Sequence, residues 1–493
     1  MPRPSLAQVA TIAFFALVAF PRASIPLIDG DVWWHIRAGL EVLSSGRVAN
    51  VDTWSIVGAG QPWTSQDWLS NVGLALIHGP DPTSGIGAML ASLAYAGLVV
   101  VALLLLWIAL GLRGARGWVG RILWLAAGLT VAGPTIGVRV QVVDLTLAAA
   151  TLLLLWGHLS DGRRSWLVGL PVVAVLWANL HAGWVLIFLL GGAVVVGEIV
   201  DSRWRTPSAA RIRDLVIALV IAAGAIALNP NGVDLYRYPL ETAAIGALRE
   251  FLAEWSPPDL ANIVGQLFWG FAFAAAVPAI VLGRRRLRTA DLLIGLGLTV
   301  MAASAARFVL VMPLVAAVGC LASVRLLEGS PLSLVLARMG RPPRTARLAA
   351  VNTALIGIIL AAGAAVSFAR VGPAAQLDAV AVHMPVAAVD WLLAHPSGER
   401  PFNTYSWGGY LGLRRPELPI YIDGRSDIYG DGPIRDYASV VQLESDPADL
   451  LTASEIDHVV FNTHSALAGW LDVRPEWRIG YRDDVATVWV RRQ

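Results

Sequence analysis

Long apolar runs, broken by short stretches that carry Arg, fill the first three quarters of the chain. A helix needs about 20 mostly apolar residues to cross a hydrocarbon core. Runs approaching that length fall at 5–28, 86–112, 120–136, 140–158, 165–181, 183–200, 214–229, 263–283, 290–304, 307–326 and 348–369. The pattern predicts a mainly α, polytopic helical membrane protein with about 11 transmembrane helices. The first run is read as a membrane helix because Phe20-Pro21-Arg22-Ala23-Ser24 offers no good small-x-small cleavage site.

Two segments between runs are long. The first, 29–85, reads as two short interfacial helices, one from Val32 to Ser45 and one from Ser65 to Ile77, with Asp31 as N-cap and Gly46 as stop for the first. The second, 229–262, opens with the turn signal Asn229-Pro230-Asn231-Gly232 and carries Tyr236, Tyr238, Glu254 and Trp255. From about Val371 the apolar runs shorten to strand length and acids become frequent. Strands are expected near 419–423, 457–462, 477–482 and 485–491, and helices near 385–394, 434–443, 447–453 and 464–471. Asp483-Asp484 reads as the turn of a terminal hairpin. The expected organisation is a membrane domain over 1–370 and a small extracytoplasmic α/β domain over 371–493.

Composition strengthens this picture. Hydrophobic residues make up 56% of the 493 and charged residues only 15%, with a mean hydropathy of +0.63, so water is not the main solvent. All 37 basic residues are Arg, consistent with a GC-rich bacterial genome and hence a bacterial inner (plasma) membrane location. Their placement sets direction, because basic loops stay cytoplasmic. One side receives Arg3, Arg113, Arg116, Arg121, Arg163, Arg164, Arg203, Arg205, Arg211, Arg213, Arg284, Arg285, Arg286, Arg288, Arg325, Arg338, Arg341, Arg344 and Arg347. The other, apart from the C-terminal region, has only Arg22, Arg37, Arg47, Arg139, Arg237, Arg249 and Arg307. The expectation is a cytoplasmic N-terminus and an extracytoplasmic C-terminal domain. The single Cys320 excludes a disulfide framework and a Cys-based metal site. No P-loop, Ser-His-Asp pattern, HExxH or basic-aromatic surface is present, so no nucleic-acid partner is expected.

The richest stretch for chemistry is Ile28-Asp29-Gly30-Asp31-Val32-Trp33-Trp34-His35-Ile36-Arg37. Asp29 and Asp31 can share a divalent cation, or divide into a general base and an orienting group, with His35 and Arg37 beside them. The competing reading is an acidic turn capping an interfacial helix anchored by Trp33 and Trp34. Asp52, Trp54, Trp63, Gln66, Asp67 and Trp68 add acids and aromatic faces of the kind that bind sugars.

Ionisable and polar residues in or beside membrane helices are functional candidates. Arg139, Gln141 and Asp144 open one run, Asn179 and His181 close another, and Arg307 opens a third, all on the side of Asp29 and Asp31. Arg suits phosphate because its planar fork donates two parallel hydrogen bonds. The alternatives are snorkelling, an internal Arg139 to Asp144 pair, and interhelical hydrogen bonding by Asn179 and His181. In the C-terminal region, Asn403 to Leu411 and Ile422 to Gly430 place Tyr405, Asp423 and Arg425 on Gly-bearing loops, where turn chemistry alone also accounts for the glycines.

Taken together, the acidic motif after the first membrane helix, the long first loop, the number of spans and the C-terminal domain resemble the GT-C superfamily of membrane glycosyltransferases, which includes protein mannosyltransferases, aminoarabinose transferases and oligosaccharyltransferases. The segments Asp29 to Gly39, Arg139 to Gln141, Leu176 to Gly183, Asn229 to Tyr238, Glu254 to Asp259 and Asn403 to Asp431 more closely resemble a group of bacterial membrane proteins with a C-terminal α/β domain. The GT-C resemblance covers architecture and the first loop. It implies transfer of a sugar from a polyprenyl-phosphate carrier to an extracytoplasmic protein, glycan or lipid. Asp29 or Asp31 would be the base, holding Mg or Mn in those members that need a metal. His35, Arg37, Arg139, Gln141, His181 and Arg307 would hold substrate or carrier phosphate, and Trp34, Asp67, Glu254, Tyr405, Asp423 and Arg425 would contact acceptor or sugar. The oligosaccharyltransferase signature Trp-Trp-Asp-Tyr-Gly is absent. The alternatives are a transporter or flippase of a lipid-linked glycan and a non-catalytic cell-envelope assembly factor.

Overall fold

The computed structural model describes residues 3–492 except 116, 203–208, 283–286 and 328–329. Arg116, Arg203, Arg205, Arg284, Arg285 and Arg286 of the orientation signal therefore lie outside the described residues. The chain is mostly helical, with a small sheet near its C-terminus.

Each apolar run forms a helix. Seven are long and apolar enough to cross a membrane among the described residues: Leu6–Ala23, Gly85–Leu112, Val142–Asp161, Ala182–Asp201, Ile263–Val281, Ala306–Val324 and Ala346–His383. The other four expected spans are Trp118–Ala132, Ser165–Leu180, Ala209–Ile226 and Thr289–Ser304, of 15, 16, 18 and 16 residues. At a rise of 1.5 Å per residue, all four are under the roughly 30 Å core thickness. Ala209–Ile226 also carries Arg211, Arg213 and Asp214 in its first turns. Each of the four packs on a neighbour at least as long: Trp118–Ala132 on Met312–Leu327, Ser165–Leu180 on Val142–Asp161, and both Ala209–Ile226 and Thr289–Ser304 on Val185–Ser202.

Contacts divide the chain into two compact, discontinuous units. The first holds Met1–Ile25, Leu93–Gly232 and Glu254–Arg370; the second holds Pro26–Ser92, Val233–Ala253 and Val371–Gln493. The segment expected as a separate C-terminal domain thus shares a unit with the first loop and part of the second.

In the first unit the core is apolar helix against helix. One buried ion pair, Arg113 to Asp291 at 2.6 Å, ties the end of Gly85–Leu112 to the first turn of Thr289–Ser304.

In the second unit, the first-loop helix Asp31–Ser45 packs on both Trp68–His78 and Gly408–Arg414. Its start is tightened by Asp29, whose Oδ1 accepts the Asp31 N–H at 2.9 Å. Its end is Gly46, whose φ of 68° is the left-handed stop that favours glycine. Gly30, not Asp31, is the residue that flanks the helix; Asp31 is its first turn. The fully buried Gln376 knits three separate stretches, accepting from Leu27 N–H and donating to Ser92 Oγ and the Ala88 carbonyl.

The sheet has four strands: β1 (Pro401–Asn403), β2 (His458–Asn462), β3 (Trp477–Arg482) and β4 (Ala486–Arg491), in the order β1-β2-β4-β3. β1 is parallel to β2, and β4 is antiparallel to both its neighbours. The hairpin at Asp483-Asp484 forms as its residues predict, with Asp483 Oδ1 accepting from Val485 and Ala486 N–H. The strand expected at 419–423 does not join the sheet. Ile420 instead pairs with the first loop, donating its N–H to the Trp54 carbonyl and accepting from Ile56 N–H, both at 2.8 Å. Only three residues of β1 pair with β2, too short a run for an alternation pattern to reveal.

Candidate functional site

Within the second unit, the Asp29-Gly30-Asp31 turn is pressed against the 406–424 segment at two points that only glycine permits. A Cβ on Gly30 would lie 2.0 Å from the Ser406 carbonyl oxygen, and a Cβ on Gly424 would lie 1.7 Å from Asp31 Oδ1. Gly424 therefore forms the seat of the Asp31 carboxylate. Asp29 and Asp31 are both half-buried, accessible enough to meet a solute yet held on a rigid helix start.

Behind them lies a buried charge network. Arg425 is 1% exposed and donates from Nε to Asp423 at 2.9 Å and from Nη1 to Asp52 at 2.8 Å, while its guanidinium lies over Trp54 and Trp63. Burial alone would pull the Arg425 pKa down, but Asp423, Tyr429 and Asp52 outweigh it, so the guanidinium stays charged. Burial likewise pushes the Asp52 carboxyl up, yet Arg425, the Ser55 hydroxyl and the Trp54 N–H together leave it below the usual range. Tyr429 donates its hydroxyl to Asp423 at 2.7 Å, and burial drives its own pKa well above normal.

Arg37 is also buried and spans the same junction, donating to the Gly412 and Pro416 carbonyls at 3.1 Å while lying over Trp54 at 4.3 Å. His35 is 4% exposed; its Nδ1 lies 2.6 Å from Asn71 Oδ1 and 3.3 Å from Asp67 Oδ2, and the Trp34 ring covers it. The half-buried Tyr405 joins its hydroxyl to Ser426 Oγ at 2.6 Å. Beside these stands Asp427, which sequence reasoning did not single out. Burial pushes its carboxyl up to about 6, and the Asp67 carboxylate adds to the rise against Arg425 and a hydrogen bond from Tyr238. No motif could have marked Asp427, because the groups that shift it come from 67, 238 and 425.

The first unit gathers a second set. Arg139, in the irregular stretch before Val142–Asp161, and Arg307, after the break at Ala305, both face Glu254. Arg139 Nη1 lies 3.5 Å from Oε2 and Arg307 Nη1 lies 3.6 Å from Oε1. The Trp255 ring lies under the Arg307 guanidinium at 4.2 Å. Ala306 N–H donates to the Ser256 carbonyl and fixes this loop against the helix break. Asp144 does not pair with Arg139; it accepts from Trp177 Nε1 at 2.6 Å and from His181 Nδ1 at 2.7 Å. Asn179 donates to the Val175 and Leu228 carbonyls, and Asn229 donates to the Ala178 carbonyl, the interhelical bonding read as one alternative for Asn179. Gln141 is half-buried directly before the helix at Val142.

The donors expected for a divalent cation are the two carboxylates of Asp29 and Asp31. Asp29 Oδ1 is engaged in the turn, and among the described residues no group of three or more His, Cys, Asp or Glu is arranged to hold a metal ion.

No family model matches the chain, and no curated protein does so. Among solved structures, ArnT from Cupriavidus metallidurans is similar both in its apo state and bound to undecaprenyl phosphate. Each has a TM-score of 0.51 at 18% identity, over 98% of this chain and 97% of that one. The Archaeoglobus fulgidus oligosaccharyltransferase, in complex with zinc and sulfate, matches with a TM-score of 0.54 at 12% identity, over 98% of this chain and 73% of that one. At these identities the likeness is one of fold: the chain shares the fold of ArnT and of the oligosaccharyltransferase.

Proposed function

We propose that this membrane protein transfers a sugar from a polyprenyl-phosphate carrier to an extracytoplasmic acceptor, with Asp31 as general base and Asp29 orienting it. The observation that carries this reading is the Asp31 carboxylate, half-buried at a helix start and held against Gly424. The fold supports it, since ArnT of that fold binds undecaprenyl phosphate. An inverting displacement follows from these parts. Asp31 accepts the proton of the acceptor hydroxyl as its oxygen bonds to the anomeric carbon, the carbon–oxygen bond to phosphate breaks, and the carrier phosphate leaves with that electron pair.

Arg139 and Arg307, with His181 oriented by Asp144, are assigned to the carrier phosphate, where guanidinium forks offset the developing charge. His35, Arg37, Asp67, Asp423 and Arg425 are assigned to holding the catalytic turn. Their side chains are buried and hydrogen-bonded within the unit, so their effect on substrate runs through Asp31. Trp34, Glu254 and Tyr405 remain the proposed contacts to sugar or acceptor. No metal step is invoked, given the donor set. The excess of Arg in alternate loops favours a cytoplasmic N-terminus in the inner membrane of a bacterium, with residues 371–493 outside.

The test is release of polyprenyl phosphate by reconstituted protein from a panel of lipid-linked sugars, comparing wild type with Asp31→Asn and Asp29→Asn. Loss in Asp31→Asn with normal insertion is the expected result. Unchanged release would remove Asp31 as base, and movement of donor across the bilayer without release would identify a flippase.

A further inference from the structure

We infer that Glu254 is a displaceable counter-ion that occupies the phosphate site of the first unit until carrier arrives. The inference rests on the reading of Arg139 and Arg307 as phosphate-binding. Glu254 presents one carboxylate oxygen to each guanidinium, which is the two-oxygen bridge a phosphate group would make. Its contacts of 3.5 and 3.6 Å are longer than the roughly 2.7–2.9 Å of charge-assisted hydrogen bonds, so the carboxylate holds the two cations loosely. The cluster is open: the Arg139, Glu254 and Arg307 side chains are 34%, 39% and 18% exposed. Ion pairs this exposed are weak, so exchanging one carboxylate for the singly charged phosphodiester of a carrier-linked sugar costs little.

The anchoring on each side is firmer than the pairing. Arg307 is held over Trp255, and the Ala306 to Ser256 hydrogen bond fixes the 253–256 loop, so the guanidinium keeps its place when the carboxylate swings away. Glu254 follows Ala253 in a short 3-10 turn, and its side chain accepts a hydrogen bond from Arg139 and pairs with Arg307. The same carboxylate also repels the phosphate product, favouring its release after transfer. Glu254 therefore sets carrier affinity through its hold on the two guanidinium groups.

The experiment measures binding of undecaprenyl phosphate, undecaprenol and inorganic phosphate to the purified full-length protein in nanodiscs. It compares wild type, Glu254→Gln, Glu254→Asp and Arg307→Gln. Removing the competing charge in Glu254→Gln should tighten undecaprenyl phosphate on the order of tenfold. Glu254→Asp, which keeps the charge, should stay near wild type, Arg307→Gln should weaken binding, and undecaprenol should be indifferent to all three. Wild-type binding of undecaprenyl phosphate that Glu254→Gln leaves unchanged or weakens would overturn the counter-ion while leaving the carrier reading in place. Binding of undecaprenyl phosphate no better than undecaprenol, in wild type and Glu254→Gln alike, would overturn both. Tightening confined to inorganic phosphate would overturn a lipid-borne occupant.

Discussion

Asp31 and Gly424 form a pair in which a missing methyl group matters as much as a charge. Gly424→Ala would place a carbon 1.7 Å from Asp31 Oδ1, so the carboxylate must move. We expect Gly424→Ala to lower turnover at least tenfold while leaving the protein folded, because proton transfer requires hydrogen-bond reach of roughly 2.6–3.2 Å; steady-state kinetics with a thermal melt would check it. Asp31→Asn should be more severe, costing about 10²–10⁴ in turnover. Asp427 supports a separate prediction about pH. Its carboxyl is raised to about 6 from an ordinary 3.8, so the folded state holds its proton more tightly than the unfolded chain. That stabilisation is fully present below about pH 4 and is lost as pH rises through 6. Asp427→Asn should therefore raise the melting temperature at pH 8 relative to wild type and change it little at pH 4, an effect of about 1–3 kcal/mol.

At the scale of elements, the buried Arg425 links the loop after the first-loop helix to the turn before Ser426–Tyr429. It satisfies Asp52 and Asp423 at once. Arg425→Ala leaves two buried carboxylates without a cation, which should cost the second unit about 3–5 kcal/mol. Arg425→Lys should recover little, because an ammonium lacks the fork that reaches both acids and stacks on Trp54 and Trp63. Limited proteolysis of the 26–92 and 371–493 segments would report both outcomes. The 233–253 segment is held more lightly. Asp431 Oδ1 accepts the N–H of the buried Ala247 at 2.6 Å, and Arg435 pairs with Glu250 at exposed positions. Arg435→Ala should therefore change stability by less than about 1 kcal/mol.

For the whole molecule, the testable quantity is sidedness. Cys320 is fully buried, so its removal leaves a cysteine-free background suited to labelling. Glu444 is exposed on the second unit, and Glu444→Cys should react with an impermeant maleimide added outside intact cells. Arg163 is exposed next to Gly162, and Arg163→Cys should react only after permeabilisation. The reverse pattern would invert the proposed orientation and move the Asp31 turn to the cytoplasmic side.

Much of the architecture was legible because helix formation in a membrane depends on local length and polarity. Every apolar run became a helix, the first-loop helix ran from Asp31 to Ser45 against an expectation of Val32 to Ser45, and the terminal hairpin turned at Asp483-Asp484. The short helices at 118–132, 165–180 and 289–304 show the limit of that signal, since hydropathy reports burial in apolar surroundings and not whether a helix reaches both faces. Strand 419–423 failed for a related reason: its partner is Trp54 to Ile56, more than 360 residues away, and alternation cannot name a partner. Run length and local polarity were enough to specify a polytopic helical membrane protein with an acidic turn after its first helix. The seat of Asp31 at Gly424, the reach of Arg425 back to Asp52 and the place of Glu254 between Arg139 and Arg307 emerge only in three dimensions. Those pairings join residues far apart in the chain, and local periodicity carries no information about such distances.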